Sequence, residues 1–547
     1  MRPLCFSPNR YFLLLVGLAL TAMAADKPSK PGPAEDFGRV VALSPFEVSA
    51  QSMEFSHWVK LGSPHFLLYT DASSKEAKEI IKHLEMIHQA AQFFLKRRST
   101  NFAPVMIVLP TGSSDWKKIK SKGTVEWSVA TSMGGEARRM VLAEYDWQND
   151  GLGSVWAMVG INEVEAMNLD LPLWGRRGIA SFFRTVTFSG DSLTMGKQDF
   201  ETYYVQKYGW MDWPRFYHVT TKSPEFFKQS TDHNKYEGQC TVLVHYVLTH
   251  SDPKWTPRLL AWAAFLNAGN EPTEESFKKI FGCDFEAWQQ QMDDLLHGGT
   301  YTTGNIKFPP AALKFEVTSA VPSAREMREL FVLAQIMNQN TKESDASLEA
   351  VLKRGLKTES LREFLAEACE ERHRSSDQLE QLRRVIDGGS TNPAVFARAA
   401  RRLLESKKAE SWMDTRLNEE TTDIRTWCRR ALELEPLQLE ANETLAWAEA
   451  FAPQVEKGNL ETIVGICRAL DGNAPTDNAL AALAIARWRK GQTKQALSLC
   501  ERLKSSVMSR KRAKEIANDV LARLDSNAAK APELSASSTV PAAGGVQ

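Results

Sequence analysis

The rhythm of polar and apolar positions changes several times along the chain. Arg2 and Arg10 flank the start of an apolar run over residues 11–20, and Ala22-Met23-Ala24 follows. A basic start, a short apolar run and small residues two apart predict a cleaved export signal over 1–24. The run is shorter than the roughly 18 apolar residues that span a bilayer. Residues 25–55 are rich in Pro, Lys and Ser, carry no period and read as a disordered linker. HFLLYTD (65–71) alternates like a strand. Over 73–96 apolar residues recur at helical spacing: Ala77, Ile80, Ile81, Leu84, Ile87, Ala91 and Phe94. PVMIVLP (104–110) predicts a buried strand; VEWSVA (125–130) and RRMVLAEYD (138–146) predict two more. Helical spacing returns over 154–168, again within LPLWGRRGIASFF (171–183), and dominates from Pro214 to His297. Gly, Thr and the Pro309-Pro310 pair mark 301–319 as a linker. Helix then follows helix over 320–525, and an Ala/Ser/Pro-rich stretch over 526–547 reads as a disordered tail.

The late helices repeat. WCRRALELEP (427–436) ends in Ala-x4-Pro, and VGICRAL and ALSLCERL place Cys467 and Cys500 equivalently, 33 residues apart. Cys428 holds the same place one unit earlier. A period near 34 residues resembles that of the tetratricopeptide repeat, which implies stacked helix pairs with a concave binding surface. Three cysteines at one repeat position read as small core residues. No C-x-x-C occurs, which argues against a zinc knuckle or thioredoxin-type centre. The 67 basic and 67 acidic side chains give no net charge, and no concentrated basic face points to nucleic acid. No segment after the signal is long and apolar enough to cross a membrane.

The stretch over 56–300 resembles the gluzincin-type peptidase-MA-like family. The resemblance rests on SPHFLLYTDASSKEAKEIIKHLE, LPLWGRRGIASFF, TVLVHYVLTHSD and ESFKKIFGCDFEAWQQQMDDLL, in that order. It implies an α+β fold: a mixed sheet with packed helices, ahead of the all-α repeat array. It also implies a zinc site. Active members carry H-E-x-x-H on a helix, where residues i and i+4 face one side and two imidazoles reach one ion. The Glu between them serves as general base, and a third ligand comes from W-x-x-E-G-x-A. Here that last pattern reads Trp174-Gly175-Arg176-Arg177-Gly178-Ile179-Ala180, with Arg177 at the ligand position. The upstream motif falls on Asn162-Glu163-Val164-Glu165-Ala166 or on residues 157–161, and neither register contains His. A guanidinium about 4 Å from Zn²⁺ would repel it by about 8 kcal/mol at an effective dielectric near 20. That offsets much of the ~10–16 kcal/mol by which structural zinc binds. The expectation is therefore no metal, no cofactor and no catalytic residue. The expected product is an exported, periplasmic or extracellular, non-catalytic protein. It would bind protein or peptide partners through a remnant cleft (Glu163, Glu165, Trp174, Arg176, Arg177) and through the repeats, with Arg177 holding a carboxylate where the metal would sit.

Other constellations carry less. Ser189-Gly190-Asp191-Ser192-Leu193 spells the opening block of GDSL hydrolases, and Asp294 and His297 supply a D-x-x-H, so the alternative is a hydrolase, either a residual metallopeptidase with an unconventional site or a Ser192-dependent esterase. The same residues also read as a β-hairpin with a Gly-Asp turn. Asp232, His233 and Glu237 read as a polar helix start, placed in a loop before a helix near Gln239. His83/His88 and His245/His250 are five apart and cannot chelate from one helix face. His245 reads as a core histidine, and Trp116, Trp210, Trp213 and Trp262 as core.

Overall fold

The computed structural model describes residues 50, 55–96, 103–111, 130–134, 139–143, 152–167, 169, 171–198, 200–228, 230–297, 301–338, 341–407, 414–417, 422–470, 476–505 and 511–530. The expected export signal, nearly all of the expected 25–55 linker, Trp116 and the expected tail beyond 530 lie outside these residues, while 526–530 of that tail belong to the last helix. The fold is α+β, with a six-stranded mixed sheet and a long helical C-terminal region.

Strands β1 (Val59–Gly62), β2 (Phe66–Thr70), β3 (Val105–Leu109), β4 (Ala130–Gly134), β5 (Arg139–Ala143) and β9 (Thr318–Ala320) pair in the order β4-β5-β3-β2-β1-β9. The centre, β2-β3-β5, is parallel. The pairs β4/β5, β1/β2 and β1/β9 are antiparallel. β3 and β5 are buried at every position, as parallel strands covered on both faces must be. Successive side chains point to opposite faces, so the two faces face different cores. Leu68, Ile107 and Val141 pack with helix α1 (Ser74–Leu95). Tyr69, Met106, Val108, Met140 and Leu142 pack with α11 (Ala324–Asn338), α12 (Lys342–Arg354) and α13 (Arg362–Glu371). A capping box between Ser73 and Glu76 starts α1, and all seven residues of its expected apolar stripe are buried.

Helices α2 (Gly153–Ala166), α3 (Leu173–Arg184), α4 (Phe200–Tyr208), α5 (Trp213–Tyr217), α6 (Pro224–Phe227), α7 (Thr231–Thr249), α8 (Trp255–Asn267), α9 (Glu274–Phe281) and α10 (Phe285–His297) follow. Strands β6 (Thr187–Ser189) and β7 (Ser192–Met195) form the expected hairpin, with Gly190 at φ +61° in its turn. Gly178 is where α3 meets α7. A Cβ there would lie 2.3 Å from the Cys240 carbonyl oxygen and 2.4 Å from Val244 Cγ2. The second glycine of the W-G-R-R-G-I-A stretch is thus required by helix contact.

The segment 301–319 differs from the expected linker. It supplies β8 (Gly304–Lys307), which pairs with β7, and most of β9, which pairs with β1. The linker expected up to 55 also ends inside the fold, since Ala50 and Phe55 are buried and Phe55 stacks on Phe331. α14 (Ser375–Asp387), α15 (Pro393–Ser406), α16 (Thr422–Leu434), α17 (Leu439–Ala450), α18 (Lys457–Leu470), α19 (Asp477–Arg489), α20 (Thr493–Ser505) and α21 (Lys511–Lys530) complete the chain. Each packs on its neighbour, and alternate helices α15, α17, α19 and α21 lie side by side. Cys428 and Cys500 are fully buried in this core, Cys467 packs against it, and all six described cysteines are free thiols.

Candidate functional site

The five residues expected in a remnant cleft are placed on α2 and α3, but they do not line one opening. Glu163 is 3 % exposed, and its Oε2 accepts a hydrogen bond from His88 Nδ1 on α1 at 2.9 Å. Glu165 lies 3.2 Å from Arg176 Nη1 and 3.8 Å from Arg139 Nη2. Arg176 also donates to the Leu171 carbonyl. Trp174 is buried against Phe216 and Tyr217. Arg177, expected to hold a partner's carboxylate, already faces one. Its Nε stands 3.5 Å from Glu237 Oε1 of α7, and its guanidinium covers the Phe226 ring at 4.7 Å. Burial raises the Glu237 carboxyl above its ordinary range, against the pull of Arg177. The expected loop placement of Asp232, His233 and Glu237 is corrected: Ser230 caps α7, and all three lie within the helix. Each turns elsewhere, Asp232 to Arg215, His233 to the Glu225 carbonyl and Glu237 to Arg177.

Beside Glu163 lies a network that the sequence reading missed. His65 Nδ1 donates to Glu85 Oε2 at 2.7 Å, and Ser63 Oγ donates to Glu85 Oε1 at 2.7 Å. The His65 ring stacks on His88 with centroids 3.8 Å apart. Two His–Glu pairs therefore lie face to face between β2, α1 and α2. Burial works to depress His88, but the hydrogen bond and charge of Glu163, with Glu85 beyond, hold it above the ordinary histidine value. Burial works to raise Glu85, and its hydrogen bonds from His65 and Ser63 win and lower it. The available signal was Glu85 and His88, three apart within an otherwise apolar stripe of α1. Among the described residues, no group of three His, Cys, Asp or Glu side chains is placed to hold a metal ion.

Ser192 opens β7, opposite Lys307 of β8. Asp294 accepts from Gln290, and His297 Nδ1 contacts the Asp293 carbonyl, so neither is hydrogen-bonded to Ser192. His245 is buried, with Nε2 2.8 Å from the Thr302 carbonyl, and burial depresses it to about 4. Trp213 and Trp262 are core residues; Trp210 is partly buried and donates to Asp293.

A different opening lies across α15, α17, α19 and α21. A cavity of about 270 Å³ is bounded there by Arg401, Glu440, Glu443, Trp447, Asn478 and Arg512, among others. Glu440 is buried between Arg398 Nε, at 3.1 Å, and Arg401 Nη1, at 2.9 Å. Burial alone would raise its carboxyl, but the two arginines hold it below the ordinary range. Asn478 is 7 % exposed and donates Nδ2 to Glu443 Oε2 at 2.8 Å, while its Oδ1 has no hydrogen-bond partner.

No family model, no curated protein and no solved structure matches this chain.

Proposed function

We propose that this chain is an exported, non-catalytic binding protein that holds a protein or peptide segment across its helical array, with the peptidase-like α+β half as its base. The observation that carries the reading is the cavity across α15, α17, α19 and α21, walled by Arg401, Arg512, Glu440 and Glu443. A peptide backbone supplies N–H groups, and its side chains would meet Leu404, Leu439 and Trp447. The old-cleft residues support the reading from the other side. Arg177 and Glu163 have internal partners, which leaves neither as the primary contact for a guest.

The test is to select peptides from a random display library against the full chain and titrate the winners. Glu443→Arg should weaken them at least about tenfold, since hydrogen bonds to charged groups are worth about 1.5–3 kcal/mol. Arg177→Ala should leave them unchanged, and thermal melts of both variants control for folding. A library yielding no binders would sink the reading. Binders that survive Glu443→Arg but fail with Arg177→Ala would return the site to α3.

A further inference from the structure

The outer face of α4 is aromatic and cationic, and nothing in the binding reading above uses it. Glu201, Thr202 and Val205 are its buried side. Glu201 accepts from Ser181 at 2.5 Å and from Thr241 at 2.8 Å, and pairs with Arg184. Gly238 lets α7 come close, since a Cβ there would meet the Glu201 carbonyl oxygen at 2.6 Å. The helix is therefore clamped from below. Above, Phe200 is 60 % exposed and Tyr203 53 % exposed. Phe200, Tyr204 and Tyr208 follow one another along the helix with ring centroids 6.0 and 6.1 Å apart. The Arg184 guanidinium lies over Phe200 at 5.0 Å, and Lys207 lies 5.0 Å from the Tyr208 centroid and 5.8 Å from that of Tyr203. Lys197, just before the helix, is also exposed. Among the described residues of α4, the acid, Glu201, turns inward.

Single exposed rings are ordinary, but rings in mutual contact, rimmed by cations and fixed on a rigid helix, are an interaction surface. The geometry points to an anionic lipid surface as its partner: α4 lies against the headgroup layer, with Phe200 and Tyr203 entering the interface and Lys197 and Lys207 meeting lipid phosphates. Phe200 and Tyr203 stand on the helix surface, exposed rather than enclosed. A bilayer needs no cleft. It takes rings at the acyl boundary and basic side chains at the headgroups, which is the chemistry this face offers. Because α7 already fixes α4, docking orders little further chain.

The test is co-sedimentation of the full chain with phosphatidylcholine vesicles, with and without phosphatidylglycerol. Binding is expected to the anionic vesicles only and to fall with added salt. The double variant Phe200→Ser, Tyr203→Ser should weaken it about tenfold. Lys207→Glu should weaken it about fivefold or more. These side chains are outside the core, so unchanged melting temperatures are expected and confirm folded protein. Equal binding by wild type and the double variant, or binding to neither vesicle, overturns the proposal. Retention instead on a polysaccharide or a single-stranded oligonucleotide, without vesicle binding, also overturns it and assigns the face to that polymer.

Discussion

The α3–α7 contact and the groove across α15–α21 use the same side-chain chemistry to opposite ends. At α3, the cation Arg177 meets the carboxylate Glu237 and covers the Phe226 ring, and nearby Glu163 is taken by His88. In the groove, Arg398 and Arg401 share Glu440, and Asn478 donates to Glu443 beside a cavity of about 270 Å³. Charged residues at an expected cleft therefore say little by themselves. What distinguishes the groove is that its charged side chains surround open volume.

The comparison breaks most sharply at the buried His88–Glu163 pair. His88→Leu would leave the buried Glu163 carboxylate without its partner, and removing one partner of a buried pair costs about 3–5 kcal/mol. Urea unfolding should show that loss in the α+β half, with the array's transition unmoved. A loss under 1 kcal/mol would mean that Glu163 is not held by His88.

Acid should separate the two halves next. His245 sits near 4 when folded and at 6.5 when free, so between those values the unfolded chain binds the extra proton. Stability then falls as pH drops from about 6.5 to about 4, by about 3 kcal/mol for this residue. His83, stacked on Phe188 and also lowered to about 4, acts in the same direction. His88 opposes them: its raised value gives stability that is complete below 6.5 and lost as pH rises through the folded value. Glu440, lowered when folded, keeps its contribution until pH falls below the ordinary carboxylate range. Hydrogen exchange followed down the pH scale should therefore open residues 152–297 before the array, and His245→Gln should flatten that slope. Simultaneous opening of both halves would contradict the assignment.

Much of this architecture was legible in the chain, for a physical reason. The α1 stripe, the buried β3 and β5 and the Gly-Asp hairpin are local patterns, and burial follows them residue by residue. The segment 301–319 was not legible as structure, because Thr318–Ala320 finds its partner at Lys60–Gly62, over 250 residues away. Pairing at that distance leaves no local period. The first helices after it, expected as repeats, instead cover the second face of the sheet. A hint existed: β3 and β5 are apolar at nearly every position, so both faces needed cover. Of the site, the residue types at 163 and 177 were legible, but their partners His88 and Glu237 were not. The W-G-R-R-G-I-A stretch shows the same limit, since Gly178 answers to Cys240 and Val244 on a distant helix. Gly178→Ala should force α3 and α7 apart and cost about 1–3 kcal/mol by thermal melt. A neutral result would show that the helices are not in contact there.

The smallest effect decides whether Arg177 is internal or awaits a partner. Arg177→Ala removes the cation facing Glu237, whose carboxyl is already raised by burial and can take a proton. The loss should therefore be modest, about 1–2 kcal/mol. Arg177→Glu should be worse, because it sets a second carboxylate beside the first. If the pair is self-contained, Glu237→Gln restores most of the stability lost in Arg177→Ala, since a neutral amide needs no counter-charge. A double-mutant cycle by urea unfolding measures this directly. Strict additivity of the two changes would show that Arg177 and Glu237 do not act on one another. The guanidinium would then be available to a guest's carboxylate, and the contrast with the array groove would fail.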